Sequence, residues 1–386
     1  MFNNIYFIIF IFLLLIFIID LVPQFYSWQS RIQIGKIQDP KLWNDKILNK
    51  SIQWIRKTPT IKLTDNNRLI IIDILKGNYK RNTIQYWQLA ALILGVNQHY
   101  LKTKNKQSKN KLDDFLMSTF HDGDWNVHPK EIDSVILAYA VLNIDWINHK
   151  EYKLVFDNAY KLILEMVGVD GTVAYKKNST NYRFVDSIGF ICPFLVLYGL
   201  KFNKPEAIDL AVNQITNFNE FGLFPNTSIP CHTYNVTTKF PVGLFGWGRG
   251  IGWYAIGLID AWSILPDYNE NKKLLEFSVV ELAKNLIKWQ RTNGSWSWII
   301  FDELSRSDSS VTATSAWFLA NAATIKSISS DCNSAKEKAL NYLKSVTRRD
   351  GAIDFSQGDT KAIGVHSNEF NILPFTQGFC LRTLNY

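Results

Sequence analysis

The stretch Trp247-Gly248-Arg249-Gly250-Ile251-Gly252-Trp253-Tyr254, entered through Gly246 and followed by the apolar run Ala255 to Trp262, sets the reading of the whole chain. Glycine lets a backbone approach a ligand closely, tryptophan offers a flat face to a sugar ring, and arginine grips a carboxylate with two parallel hydrogen bonds. Together they point to a saccharide site at the start of an apolar helix. The plainer alternative is a helix start packed with small residues.

Working outward, the run after Arg249 is one of a series. Helical patterns cover most of the chain beyond residue 39, among them Arg68 to Leu75 (with Asp65 as its expected cap), Thr83 to Leu94, Lys130 to Leu142, Asp186 to Leu200, Ser309 to Ile325 and Asn371 to Leu384. Strand-like alternation is confined to short pieces such as Thr172 to Tyr175 and Trp296 to Phe301. The most apolar helices start near Asn82, Asp133, Asp186, Arg249, Ser309 and Asn371, at gaps of about 51, 53, 63, 60 and 62 residues, each enough for two helices and their loops. A helix apolar all round is buried and one apolar on a single face covers it. Six buried helices alternating with six amphipathic ones describe an all-α fold, an (α/α)6 barrel or six-hairpin toroid. Its inner helices all start at one end, so the residues at their starts meet over one cavity.

Those starts supply Tyr86 and Trp87; His128 and Asp133; Arg183 and Asp186; Trp247, Arg249 and Trp253, preceded by His232; Asp308 and Ser309; and His366. Two carboxylates, several aromatics and an arginine around a cleft are the material of carbohydrate chemistry. Asp133 and Asp186 each precede an apolar helix, where an acid also serves as a cap or first-turn residue. Their matching positions in neighbouring repeats favour catalysis, because an Asp desolvated in an aromatic cleft can become a proton donor. The histidines read as substrate contacts or loop residues, since no H-E-x-x-H or comparable spacing marks a metal site. There is no G-x-S-x-G elbow and no phosphate-cradling loop.

The stretch Trp247 to Tyr254 resembles the W-x-R-G-x-x-W signature of the unsaturated glucuronyl and rhamnogalacturonyl hydrolases, glycoside hydrolase families 88 and 105. Val185 to Leu195 resembles their segment around the general-acid aspartate, Glu131-Ile132-Asp133 the segment with their second essential aspartate, and Asp308 to Ala313 their D-S-S-A-x-A helix start. The resemblance runs from about Tyr86 to the end, and it implies the same barrel fold. It also implies a hydrolase of uronic-acid-containing oligosaccharides that hydrates a C4=C5 unsaturated uronide. Asp186 would protonate C4 and activate the water that adds at C5. Asp133 would hold ring hydroxyls, Arg249 the acidic end of the sugar, and Trp247 and Trp253 the ring, with His232, Tyr86, Trp87 and Ser309 as further contacts. No cofactor or metal is implied. The chain departs from the family at Asn235, where an acid closes its H-x-x-D segment, and at Ile251, where an amide is common. These departures leave a second reading open, a non-catalytic, membrane-anchored component of capsule or exopolysaccharide assembly. A sugar epimerase, which shares the barrel, is a third.

The 386 residues carry a net charge of +8, scattered through polar turns such as Lys102 to Lys111 rather than gathered into a basic stripe with interleaved aromatics. That speaks against a nucleic-acid partner and suits an acidic oligosaccharide or polysaccharide, or an anionic membrane face. Residues 5–19 are almost wholly Ile, Phe and Leu and, with Asp20-Leu21-Val22, approach the roughly 20 residues that span a bilayer. A signal peptide would open with Lys or Arg and close on small residues; no basic residue precedes this run and Pro23-Gln24-Phe25-Tyr26 is no cleavage site. The expectation is an uncleaved single-pass anchor over residues 1–24 and one barrel domain over 25–386. Arg31, Lys36 and Lys41 flank the run only on its C-terminal side, which the positive-inside rule reads as a cytoplasmic domain, although the side of the membrane stays open. The cysteines, Cys192, Cys231, Cys332 and Cys380, have no C-x-x-C spacing and suggest neither zinc nor a disulfide framework.

Overall fold

The computed structural model describes residues 2–62, 64–78 and 85–386. Six helices form a closed inner ring: α4 (Gln85–Thr103), α6 (Val135–Leu142), α8 (Val185–Phe202), α10 (Gly248–Ile264), α12 (Ser309–Ala322) and α14 (Pro374–Leu384). Each packs on the next, and α14 packs back on α4. Around them stand α5 (Lys106–Thr119), α7 (Lys153–Leu164), α9 (Pro205–Phe221), α11 (Glu270–Lys288) and α13 (Ser329–Ser345), each the antiparallel partner of the inner helix before it. The sixth outer place is taken by α2 (Pro40–Arg56), which packs on α14 and α4 and so joins the two ends of the chain. The expected six-hairpin toroid is therefore present. Its inner helices start within three residues of the positions read from the sequence, except that Asn82 and Thr83 lie outside the described residues.

Burial follows the predicted division. Every residue of α6 and α12 is buried, whereas α2 buries only one stripe (Trp43, Ile47, Leu48, Ser51, Trp54, Ile55). The start of α2 is set by Asp39, whose carboxylate accepts from Leu42 N at 2.6 Å, and by Pro40 in the first turn. All four cysteines are buried thiols.

The glycines of the 247–254 stretch have a different purpose from the one their sequence suggests. Gly248, Gly250 and Gly252 lie inside the first turns of α10, and they admit neighbouring helices and rings rather than a ligand. A Cβ on Gly250 would stand 2.7 Å from the Trp247 ring, and one on Gly252 2.6 Å from Thr314 Oγ1. Further along, a Cβ on Gly257 would meet Ile188 O at 2.5 Å, and on α8 a Cβ at Gly189 would meet Trp253 O at 2.8 Å. The two backbones therefore touch where aliphatic side chains would hold them apart. Packing of small residues accounts for these glycines.

Among the described residues the short strands lie only in the connections that lead into inner helices, the first being the pair β1 (Phe120–His121) and β2 (Asp124–Trp125). β3 (Tyr182–Phe184), β4 (Thr233–Asn235) and β5 (Pro241–Val242) form one antiparallel sheet, with Arg183 opposite Tyr234; β6 (Ser356–Gln357) pairs with β7 (Phe370–Asn371). The expected strands at 172–175 and 296–301 reduce to isolated bridges, Val167 to Val173, Trp247 to Ile299 and Ser297 to Ser307.

At the opposite end one carboxylate crosses the barrel axis. Asp260 of α10 accepts from Tyr139 Oη of α6 (2.9 Å), Trp317 Nε1 of α12 (2.7 Å) and Arg382 Nη1 of α14 (2.6 Å). Of these only α12 is adjacent to α10 in the ring.

The N-terminal run forms α1 (Phe2–Arg31), a single helix that continues through Pro23. Its window of highest mean hydropathy (3.2) has no buried residue, so it is long and apolar enough to cross a membrane. Its far end is fastened to the barrel by Arg31, which pairs with Asp354 at 2.5 Å, and by Ser30 Oγ, which accepts from Arg348 at 3.0 Å. Asp20 accepts from Leu69 N (2.6 Å) and Ile70 N (2.9 Å), capping the short helix α3 (Ile70–Leu75). Asp65, the cap expected from sequence, instead accepts from Ser367 Oγ.

Asp260→Ala leaves Arg382 buried without its counter-charge and should destabilise the fold by about 3–5 kcal/mol. Urea unfolding followed by circular dichroism measures it, and a loss under 1 kcal/mol would show that the axial cluster is dispensable.

Candidate active site

At the end carrying the strands, the starts of the inner helices enclose a cavity of about 780 Å³. Trp87 comes from α4, Asp133 from the 3-10 turn Ile132–Ser134 ahead of α6, Asp186 and Phe190 from α8, and Trp247, Arg249 and Trp253 from the α10 region. His232 reaches in beside β4, and the loop 359–363 closes the far side. Trp253 stands edge-on to Trp87 (centroids 5.4 Å apart) and packs on Phe190 (4.5 Å) and Phe375 (4.6 Å), so aromatic rings form much of the wall.

These apolar walls govern the ionisable groups. Burial pushes the carboxyl of Asp186 up to about 7, against the opposing pull of backbone N–H and of Arg249. Asp133 also rises to about 7, through burial and then through the neighbouring charges of Glu131 and Asp359. Burial and the nearby His366 push His232 down to about 3. The His232 Nε2 to Asp186 Oδ2 approach of 3.8 Å is therefore between two neutral groups from about pH 3 to about 7, and no salt bridge holds Asp186 ionised. Asp186 Oδ2, Asp133 Oδ1 and His232 Nδ1 have no hydrogen-bond partner among the described residues. The arrangement thus offers neutral acids with an uncommitted oxygen, next to aromatic faces.

Arg249 is committed differently from the expectation that it grips the sugar. Its guanidinium lies between Trp87 and Trp247 and donates to the carbonyls of Gln357 (2.6 Å) and Gly358. Gln357 in turn accepts from Trp247 Nε1 at 3.0 Å, and its own N–H donates to Asp308 Oδ1 at 3.1 Å. Arg249 and Trp247 thereby hold the strand from which the 359–363 loop departs, while Arg249 still lines the cavity. Ser309 and Tyr86 are not among its lining residues. The Ser309 hydroxyl donates to Asp354 O at 2.6 Å, and half-buried Tyr86 stands near enough to Asp133 for that charge to raise its pKa, after burial. His128 is exposed, 3.6 Å from Asp124, and Arg183 is buried against Asp170. His366 packs on Trp247, with ring centroids 5.0 Å apart.

Neither departure from the family pattern touches the cavity. Asn235 accepts from Thr237 N (2.9 Å) and Thr238 N (3.0 Å), so its side chain closes a turn. Ile251 is fully buried in α10. Among the lining residues that the sequence did not mark for the site are Tyr175, Lys176 and Asp359. They stand on loops, where no periodicity flags a functional side chain. Among the described residues no group of His, Cys, Asp and Glu is placed to hold a metal ion.

The profile of Glycosyl Hydrolase Family 88 matches residues 53–382, which span the whole ring and the cavity. The chain belongs to that family. It is 19% identical over 248 residues to the unsaturated rhamnogalacturonyl hydrolase YesR of Bacillus subtilis, covering 60% of this chain and 69% of that protein. Among solved structures, a possible member of the GH105 family from Klebsiella pneumoniae superposes with a TM-score of 0.75 at 14% identity, over 90% of this chain and 92% of that one. The unsaturated glucuronyl hydrolase of Bacillus sp. GL1 gives 0.66 at 15% identity, over 92% and 96%. At such identities the likeness to the two solved structures is one of fold, the six-hairpin toroid.

The raised carboxyls also tie stability to pH. Asp133 and Asp186 hold their protons in the folded state to about pH 7 but lose them near 3.8 when unfolded. The folded state therefore binds more protons between those values, and stability falls as pH rises through that window. Asp186→Asn should raise Tm at pH 8 relative to wild type and leave it nearly unchanged at pH 4. Scanning calorimetry at the two pH values checks this, and an equal shift at both would contradict the burial-raised carboxyl.

Proposed function

We propose that the protein is a membrane-anchored hydrolase that removes a C4=C5 unsaturated uronic acid from the end of an acidic oligosaccharide. The observation that carries this reading is Asp186: a carboxyl that stays protonated to about pH 7, with one oxygen free, in the aromatic cavity of a family 88 barrel. Names of relatives agree with it, one being an unsaturated rhamnogalacturonyl hydrolase and another an unsaturated glucuronyl hydrolase.

The neutral Asp186 carboxyl donates its proton to C4, and the positive charge that develops at C5 is shared with the ring oxygen. The aspartate left behind takes a proton from water as the oxygen bonds to C5, which restores the acid. The C5 hemiketal opens to a ketone, C1 becomes a hemiacetal, and its collapse releases the remaining sugar. No bond to the anomeric carbon is displaced by an enzyme nucleophile. Asp133 binds ring hydroxyls and supports the developing charge, while Trp247 and Trp253 shape the ring pocket. The fixed cations Arg249 and Lys176 supply a positive field for the uronate. Residues 1–24 serve as the anchor, and residues 25–386 as the catalytic domain.

Purified protein incubated with lyase-generated unsaturated disaccharides should bleach the ultraviolet absorbance of the conjugated C4=C5 bond. Asp186→Asn should lower kcat by about 10²–10⁴-fold, the usual worth of general acid–base catalysis, while circular dichroism stays unchanged. Folded wild-type protein that bleaches no substrate in a panel of acidic glycans would instead support a non-catalytic role in polysaccharide assembly.

Because the reaction needs the protonated acid, kcat/KM should hold on the acid side and fall as pH rises through about 7. A rate that climbs from pH 6 to pH 8 would remove Asp186 from the role of proton donor.

A further inference from the structure

The connection between α2 and α4 carries a helix that is inside out for a water-facing element. In α3 Asp73 is buried alongside Ile70, while Ile72, Ile74 and Leu75 face outward. Asp73 is 7% exposed and accepts from Asn66 Nδ2 (3.0 Å), Asn78 Nδ2 (2.8 Å) and the Thr64 hydroxyl (3.3 Å). Ile72, Ile74 and Leu75 are 43%, 47% and 82% exposed, with Leu69 at 50% just ahead of them. An isolated apolar residue on a surface needs no explanation, but four within seven residues, gained by burying an aspartate, do.

We propose that α3 is a second membrane contact, with Leu69, Ile72, Ile74 and Leu75 seated in the headgroup–acyl boundary of the bilayer that α1 enters. This rests on the anchor reading of α1. Three observations single out lipid as the occupant. α3 packs on α1 at the edge of its exposed apolar run, where Asp20, at the end of the Ile/Phe/Leu run, caps α3 directly. Phe25 and Trp28, one to two turns beyond Asp20, are exposed aromatics of the kind that settle at a membrane–water boundary. Arg68 and Lys76 flank α3 on either side and complement anionic headgroups. The presence of Asp20 at the edge of the apolar run is explained as well: it is the joint between the span and the interfacial helix.

The contact has a consequence for the reaction. Lys361 pairs with Asp65 (3.4 Å) and Lys62 with Glu369 (2.8 Å), so the linker bearing α3 is fastened to the loop that continues from the cavity wall. The Arg31–Asp354 pair fastens α1 at that same end. Two membrane contacts, both attached at the strand-bearing end, hold the cavity close to the bilayer and present it to glycan at the membrane surface.

The four native cysteines are buried, so single Leu75→Cys, Ile11→Cys and Phe277→Cys variants of the full chain can be labelled selectively with an environment-sensitive dye. Each is reconstituted into nanodiscs of phosphatidylcholine with phosphatidylglycerol, with or without doxyl-labelled lipid. The dye at position 75 is expected to shift to the blue, lose intensity to doxyl lipid and resist aqueous iodide, as at position 11, whereas position 277 on an outer helix behaves oppositely. Lipid quenching at 11 with iodide quenching at 75 would overturn the interfacial role of α3 and leave the anchor standing. Iodide quenching at both 11 and 75 would overturn both.

Discussion

The Asp260 carboxylate is the interaction on which the barrel most depends. A ring of six helices can close with many rotations of each helix about its own axis, since aliphatic packing is non-directional. Asp260 removes that freedom. Its two oxygens accept from a phenol, an indole and a guanidinium carried by α6, α12 and α14, and the guanidinium carbon of Arg382 stands 3.8 Å from the centre of the Trp317 ring. Each partner can satisfy the buried charge only in one rotation of its helix. With that end fixed, the starts of the same helices must point their own side chains at a common space.

At that other end the polar network is deliberately incomplete. Asp308, Gln357, Trp247 and Arg249 satisfy one another and hold the strand leading to the cavity loop. Asp133 and Asp186 are left with uncommitted oxygens in aromatic surroundings. A structural carboxylate would be expected to gain donors, as Asp260 and Asp354 do, and the pKa of Asp354 is held below the usual range by Arg31 and Arg348 despite its burial. The contrast between two kinds of buried acid in one fold separates framework from chemistry. It also places a stability penalty on the cavity end, because ionising either free acid is opposed by the apolar walls around it.

Attachment to α1 uses the same face. Arg31, with Arg348, surrounds Asp354, whose backbone carbonyl accepts from Ser309 at the head of α12. The D-S-S helix start is thus linked through Asp354 to the C-terminal end of α1. Ser309 reads in the sequence as a sugar contact because it begins an inner helix, but its hydroxyl is spent on this joint.

The sequence by itself determined the ring. Six apolar runs at spacings of 51 to 63 residues, alternating with amphipathic ones, leave few ways to bury so much surface, and burial depends on residue type and period. It also placed Asp133, Asp186, Trp247 and Trp253 at one end, because a helix start is a local feature. Only the tertiary structure decided what those side chains do there. Whether Arg249 reaches a sugar or a backbone carbonyl, whether a glycine faces ligand or a neighbouring helix, and whether Asp65 or Asp20 caps α3 depend on residues distant in the chain. Tyr175, Lys176 and Asp359 join the cavity from loops for the same reason. Hydrogen bonding is directional and short-ranged, so its partners are fixed by folding, whereas the apolar periodicity that drives folding is written along the chain.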